Sequence, residues 1–257
     1  MNVTEAELLT WVSAFIWPLA RIGALFLAAP IFSLTAVPAR VRVIFALALT
    51  FAVMPMLPPA PAIAMFSFEG MMVIVQQTLI GVATGFILQT VFAAVNFAGQ
   101  GMAYSMGLGF SLTFDPQSGG QSLAVGQFYV TLLSLLFFSM DGHLVLLKML
   151  LDSFKTLPIG LTGVDKDMIW TLIRWGGQVF AGGLLLSMPM MASLLLINIC
   201  FGVATRAAPQ LNIFSVGLPV TIVVGLLLMW ATLSNTLEHA GELLNEAYSL
   251  TGQLLKL

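Results

Sequence analysis

Charge is what this sequence has least of. Asp, Glu, Lys and Arg make up 8% of its 257 residues, where a soluble globular domain carries about a quarter, and that deficit excludes a surface built to face water. Cysteine is nearly absent as well. The single Cys200 rules out an internal disulfide, and its place in an apolar run fits a small buried hydrophobe. A net charge of -2 with no basic cluster sets nucleic-acid binding aside. The two histidines, His143 near Asp141 and His239 near Glu242, fall into no metal-ligand or triad spacing. No catalytic residue, metal or cofactor is therefore expected. The N-terminus carries Glu5 and Glu7 but no early Lys or Arg, so it lacks the basic region of a cleavable signal peptide and the first helix is expected to be retained.

What the sequence does have is hydrophobicity, at 59% of residues, with the charges kept apart. Residues 43–68, 70–114, 116–140, 175–205 and 207–237 contain none, and each run is long enough for the roughly 20 apolar residues of a membrane-crossing helix. The pattern predicts an all-α integral membrane protein of about six hydrophobic segments, at 8–29, 41–57, 68–98, 121–140, 170–202 and 213–235. No linker divides it, so one domain over 1–257 is expected. Pro55, Pro58, Pro59 and Pro61 close the second segment, and Pro18, Pro189 and Pro219 are expected to kink others. Residues 141–174 read as the longest polar connection, with Lys148, Asp152 and Lys155 marking a solvated helix face. From 238 onward Glu238, Glu242 and Glu246 alternate with Leu243, Leu244 and Leu250, the pattern of an interfacial or partner-facing amphipathic helix. With six spans, Arg40, Arg42 and Arg206 fall on one side and Lys148, Lys155, Lys166 and Arg174 on the other, too even a balance to set orientation.

Four features carry functional weight. The 45 uncharged residues of 70–114 would span roughly 67 Å as one helix, about twice a hydrocarbon core, so the run must project, bend or break. Within it Thr78, Gly85, Gln89, Asn96 and Gln100 recur at spacings of 7, 4, 7 and 4, inside about 60° of arc at roughly 100° per residue. Such a stripe, with Gly81-x-x-x-Gly85, either lets helices approach closely or lines a watery path. The run ends in Gly107, Leu108, Gly109, Phe110, Ser111, Leu112, Thr113, Phe114, Asp115 and Pro116, permissive glycines beside bulky aromatics. No strand precedes it and Leu112 replaces the third glycine of a dinucleotide-binding turn; it is either a loop that occludes a pore or a surface connection. Arg21 lies inside the first apolar segment, as a buried pair, a cavity residue or a snorkelling side chain. Fifteen methionines, Met188, Met190 and Met191 among them, suit core filling better than metal capture.

Three stretches combine these features. They are Pro30-Ile31-Phe32 leading to Val37-Pro38-Ala39-Arg40-Val41-Arg42, then residues 96–107 (NFAGQGMAYSMG), and residues 202–219 (GVATRAAPQLNIFSVGLP). With the chain length, they resemble the FliR/SctT family of type III secretion export components, over nearly the whole chain. The resemblance implies a non-enzymatic pore and gate subunit, in a helical hetero-oligomeric export gate with FliP and FliQ. That gate passes unfolded flagellar subunits across the bacterial inner membrane at the flagellar basal body. FlhB and FlhA would dock nearby, and energy would be supplied elsewhere. The assembly would be raised toward the periplasm, with much apolar surface on other subunits rather than on lipid. A plug maps onto Gly107, Leu108, Gly109, Phe110, Phe114, Asp115 and Pro116, with Phe110 and Phe114 occluding. Arg21, Arg40, Arg206, Pro209, Gln210, Asn212 and Pro219 are the candidate assembly and structural positions. Within the family, the virulence branch is the alternative to the flagellar one. Outside it, Arg21 and the prolines suggest a secondary transporter, for which no inverted repeat is evident, and a membrane enzyme would need an acid, His or Cys cluster that is missing.

Overall fold

Apolar stretches in this chain become helices because a backbone in lipid must satisfy its own hydrogen bonds. The computed structural model describes residues 5–31, 38–59, 61, 63–109, 124–207 and 217–257. Among them are α1 (Glu5–Ala28), α2 (Ala39–Val53), α3 (Phe68–Ser105), α4 (Ala124–Ser139), α5 (Gly142–Thr156), α6 (Lys166–Gly176), α7 (Gln178–Ala207) and α8 (Leu218–Leu255), and no strand. Five helical stretches are long and apolar enough to cross a membrane, and a sixth if α4 and α5 count as one broken span. The all-α membrane architecture read from the sequence is the one observed.

The helix ends follow local chemistry. A 3-10 turn at Met54–Met56 carries Pro55 and closes α2. Asp141, left-handed at φ 54°, turns the chain between α4 and α5, a conformation that Asp tolerates better than most residues. Pro18 and Pro189 lie within α1 and α7, and neither interrupts its helix. Pro219 is the second residue of α8, in its first turn rather than its interior, where its missing N–H has no partner to lose.

The chain divides into two compact units, the first made of residues 1–90, 141–176 and 245–257, the second of 91–140 and 177–244. In the first, α3 lies backbone to backbone on α1. A Cβ on Gly81 would fall on the Arg21 carbonyl, and one on Gly85 would come within 2.5 Å of Ala28 Cβ. Trp17, Leu25, Ile80, Ile87, Leu150 and Phe154 fill its core, and the Trp175 indole donates to the Ile87 carbonyl at 3.0 Å. In the second, a Cβ on Gly183 of α7 would lie 2.8 Å from the Ala94 carbonyl oxygen and one on Gly182 would lie 3.2 Å from Leu243 of α8; Phe92 and Phe137 meet edge to face with centroids 6.4 Å apart.

Three expectations are corrected. Residues 141–174 are not mainly a polar connection but hold α5 and most of α6. Lys148 and Lys155 point outward, the latter paired with Asp152 at 3.0 Å, the solvated helix face that their spacing suggested, while Leu146, Leu150 and Phe154 enter the core from the opposite face of the same amphipathic helix. The acidic C-terminal stretch is not a separate helix waiting for an interface. It continues α8, with Glu238, Glu242 and Glu246 exposed and Leu244, Ala247 and Leu254 buried within the chain itself. Cys200 is exposed, not buried, because α7 turns that face away from the rest of its unit.

Candidate functional site

The helix that leads to the glycine and aromatic loop ends on a built exit. Gly107 is left-handed at φ 84°; its N–H donates to the Tyr104 carbonyl and that of Leu108 to the Ala103 carbonyl, both at 3.0 Å. This double bond pattern caps the last carbonyls of a helix and needs a residue without a Cβ penalty at the turning position. Tertiary packing adds a second reason, since a Cβ on Gly107 would lie 2.5 Å from Leu218 Cδ1. Gly109 rests on the Tyr104 ring, with 2.5 Å to Cδ1 for a Cβ there.

The two ends of this segment are held within one unit. Met106 is fully buried and packs where Gly225 of α8 leaves room, and the Thr221 hydroxyl donates to the Met106 carbonyl at 3.4 Å. On the far side, α4 crosses α3 at glycine on glycine: a Cβ on Gly99 would stand 2.6 Å from the Gly126 Cα. Asn96 lies over the same point, 2.6 Å from the position of a Gly126 Cβ, and its Oδ1 is buried without a hydrogen-bond donor among the described residues. The segment between α3 and α4 therefore leaves from and returns to a crossed pair of helices, clamped by α8. Phe110, Phe114, Asp115 and Pro116 lie outside the described residues, as do Pro209, Gln210 and Asn212; Gly107, Leu108 and Gly109 are the described part of the predicted plug.

The polar stripe divides. Thr78 is half-buried, Gly85 buried and Gln89 exposed in the first unit, whereas Asn96 and Gln100 are half-buried beside Gly126 in the second. One helical arc thus meets two environments.

Arg21 is the other centre of polar chemistry, and it does not snorkel. It is fully buried, with Nε donating to Gln77 Oε1 at 2.8 Å, Nη1 to Ser153 Oγ at 3.0 Å and Nη2 to the Leu157 carbonyl at 2.7 Å. Its guanidinium carbon sits 4.2 Å from the Phe154 ring centroid. Leu157 is the C-cap of α5, so the cation faces carbonyls left over at a helix C-terminus, the negative end of its dipole. Neutral acceptors, a helix end and a ring face compensate the charge. The result is a pin through α1, α3 and α5. Gln77, Ser153, Leu157, Gly126, Thr221 and Gly225 were not singled out from the sequence. Gln77 alone left a trace there, as one of two adjacent glutamines in an uncharged run.

Among the described residues no group of three or more His, Cys, Asp or Glu could hold a metal ion. Arg40 and Arg206 are exposed at the first turn of α2 and the last turn of α7.

The family described as bacterial export proteins, family 1, matches residues 12–247. The chain is 38% identical over 255 residues to the flagellar biosynthetic protein FliR of Escherichia coli (strain K12), covering 99% of this chain and 97% of that protein. It is 39% identical over 249 residues to the FliR of Pectobacterium carotovorum subsp. carotovorum, with 97% and 95% covered. Against the FliR of Bacillus subtilis (strain 168) it is 30% identical over 224 residues, with 86% of each chain covered.

Proposed function

The chain belongs to the bacterial export proteins, family 1, and from that membership we propose that it is the pore and gate subunit of the flagellar type III export apparatus in the inner membrane. It assembles with FliP and FliQ, lies near FlhB and FlhA, and passes unfolded flagellar subunits. The shared name of its relatives supports the flagellar branch over the virulence one.

The observation that carries the gate reading is the glycine exit at Gly107 with its clamp. A loop that must close a path and then move aside needs a fixed root and a free tip. The root here is rigid, through the Gly99 and Gly126 crossing and the buried Met106 on Gly225. Its tip, with Phe110 and Phe114, supplies apolar bulk for occlusion. The work of the chain on this reading is structural, and the remaining apolar surface is covered by partner subunits.

Deleting residues 107–116 in the assembled complex is expected to make the membrane leak small solutes while co-purification with FliP and FliQ persists. Unchanged permeability in a complex that still assembles refutes the plug, and failure to recover FliP and FliQ with the intact chain refutes the assembly.

A further inference from the structure

Helix α7 outruns the helix it packs on. In the second unit it lies along α3 with both running the same way, since Gly183 meets Ala94 and Phe97 while Gly101 meets Ser187 and Met191. At that offset the end of α3, Ser105, is level with the turn of α7 around Leu194. Leu194 is the last buried residue of α7, and none of residues 195–207 is buried. The row that buries Met190 and Leu194 at i, i+4 spacing continues, uncovered, through Asn198 and Gly202.

Both residues carry a cost that nothing inside the chain offsets. A glycine within a helix is about 1 kcal/mol less favourable than alanine. At Gly183 of the same helix, contact with the Ala94 carbonyl compensates, but a Cβ on Gly202 would meet nothing within 4 Å, and Gly202 has no left-handed φ to accommodate. Asn198 is exposed, and its amide has no hydrogen-bond partner among the described residues. The hydroxyls on either side of it are already satisfied, Ser193 donating to the Pro189 carbonyl at 2.8 Å and Thr205 to the Gly202 carbonyl at 3.1 Å.

The amide stands among apolar side chains. Leu195, Leu196, Ile199 and Val203 on the adjacent turns are 55–65% exposed, and residues 175–205 hold no charge. Lipid tails cover such side chains but offer an amide neither donor nor acceptor. A helix of another chain serves both needs, because asparagine hydrogen-bonds across a helix pair and a glycine one turn away lets the two backbones close. We propose that the Asn198 and Gly202 row of α7 seats a membrane helix of a neighbouring subunit. That helix presents an amide, a hydroxyl or a backbone carbonyl to Asn198 and an apolar side chain to Gly202. The site rests on the assembly with FliP and FliQ proposed above; what it adds is the face and the chemistry by which one neighbour is held.

The test co-expresses the full chain with FliP and FliQ and compares the recovered complex with the chain purified alone. Gly202→Leu is expected to lower recovery of the partners about tenfold, because its bulk overpacks the close approach. Asn198→Leu should lower it about threefold, the loss of one interhelical hydrogen bond. Neither should lower the thermal midpoint of the chain alone in detergent. A photoreactive benzoylphenylalanine at Leu195, one turn before Asn198, should cross-link the otherwise intact complex to a second polypeptide, with the adduct mapped by mass spectrometry. Unchanged recovery in both variants, while the unsubstituted chain still brings down FliP and FliQ, overturns the site and leaves the assembly standing. A loss of recovery matched by a fall in the midpoint of the chain alone makes the row structural and overturns it too, as do adducts found on lipid alone or on this chain alone. If Gly202→Leu does not reach the membrane, Asn198→Leu and the cross-link decide.

Discussion

Helix α3 and the pair α7 and α8 are alike in sequence, long, uncharged over most of their length and predominantly apolar. They are unlike in their surroundings. In the apolar window of α3, 67% of residues are buried inside the chain, against 22% in the stretch that contains α7 and 17% in α8. Hydrophobicity alone makes a helix avoid water; it does not choose whether protein or lipid covers it. Glycines mark the close approaches. Gly81, Gly85 and Gly99 on α3 all lie where a Cβ would meet another helix within 3 Å; on α7 Gly183 does so too, but Gly202 further along that helix faces open space. On α7 and α8, Leu185, Leu196, Val203, Leu226 and Trp230 are exposed instead, a surface to be covered by lipid or by other subunits.

The sharpest way to break this contrast is to put a side chain into α3. Gly81→Val drives a Cβ onto the Arg21 carbonyl and forces α1 away from α3, which should cost about 3 kcal/mol or more and remove the folded protein from a detergent size-exclusion profile. Arg21→Met acts at the same place through polarity. It strips donors from the Gln77 and Leu157 oxygens, and each orphaned buried acceptor costs about 1–3 kcal/mol, so the thermal midpoint in mild detergent should fall clearly. Arg21→Lys keeps the charge but not the fork, and should recover only part of the loss. On the exposed side the sign reverses: Gly202→Ala should stabilise the isolated chain by about 0.4–1 kcal/mol through helix propensity. The smallest change is expected for Trp230→Ala, within about 0.5 kcal/mol in the isolated chain. That variant should lower recovery of FliP and FliQ on co-purification if partner subunits cover α8, and leave it unchanged if lipid does.

Much of the fold was legible in the spacing of charges. The segments at 8–29 and 121–140 overlap α1 and α4 closely, because an uncharged stretch of that length has few alternatives to a helix in a bilayer. Where the reading stopped short, it stopped at polarity. The third segment was ended at residue 98, yet α3 continues to Ser105, and the sixth at 235, yet α8 continues to Leu255. A helix does not end when its residues become small or charged; it ends when a Gly107 or a proline changes the backbone. The glycine exit was visible as a motif, while the clamp of Met106, Thr221 and Gly225 joins residues 115 or more positions apart in part and carries no local signature.

The sequence by itself determined that this chain is helical, that it lies in a membrane and that a turn follows residue 106, because backbone hydrogen bonding in lipid and the steric freedom of glycine are local properties. Only the tertiary structure decided which apolar faces meet protein, how the Arg21 charge is compensated and why Gly23 differs from Gly81. Those depend on which atoms of distant segments come within a few ångströms, and of two glycines that each follow an isoleucine, Gly81 sits against a backbone carbonyl and Gly23 against open space.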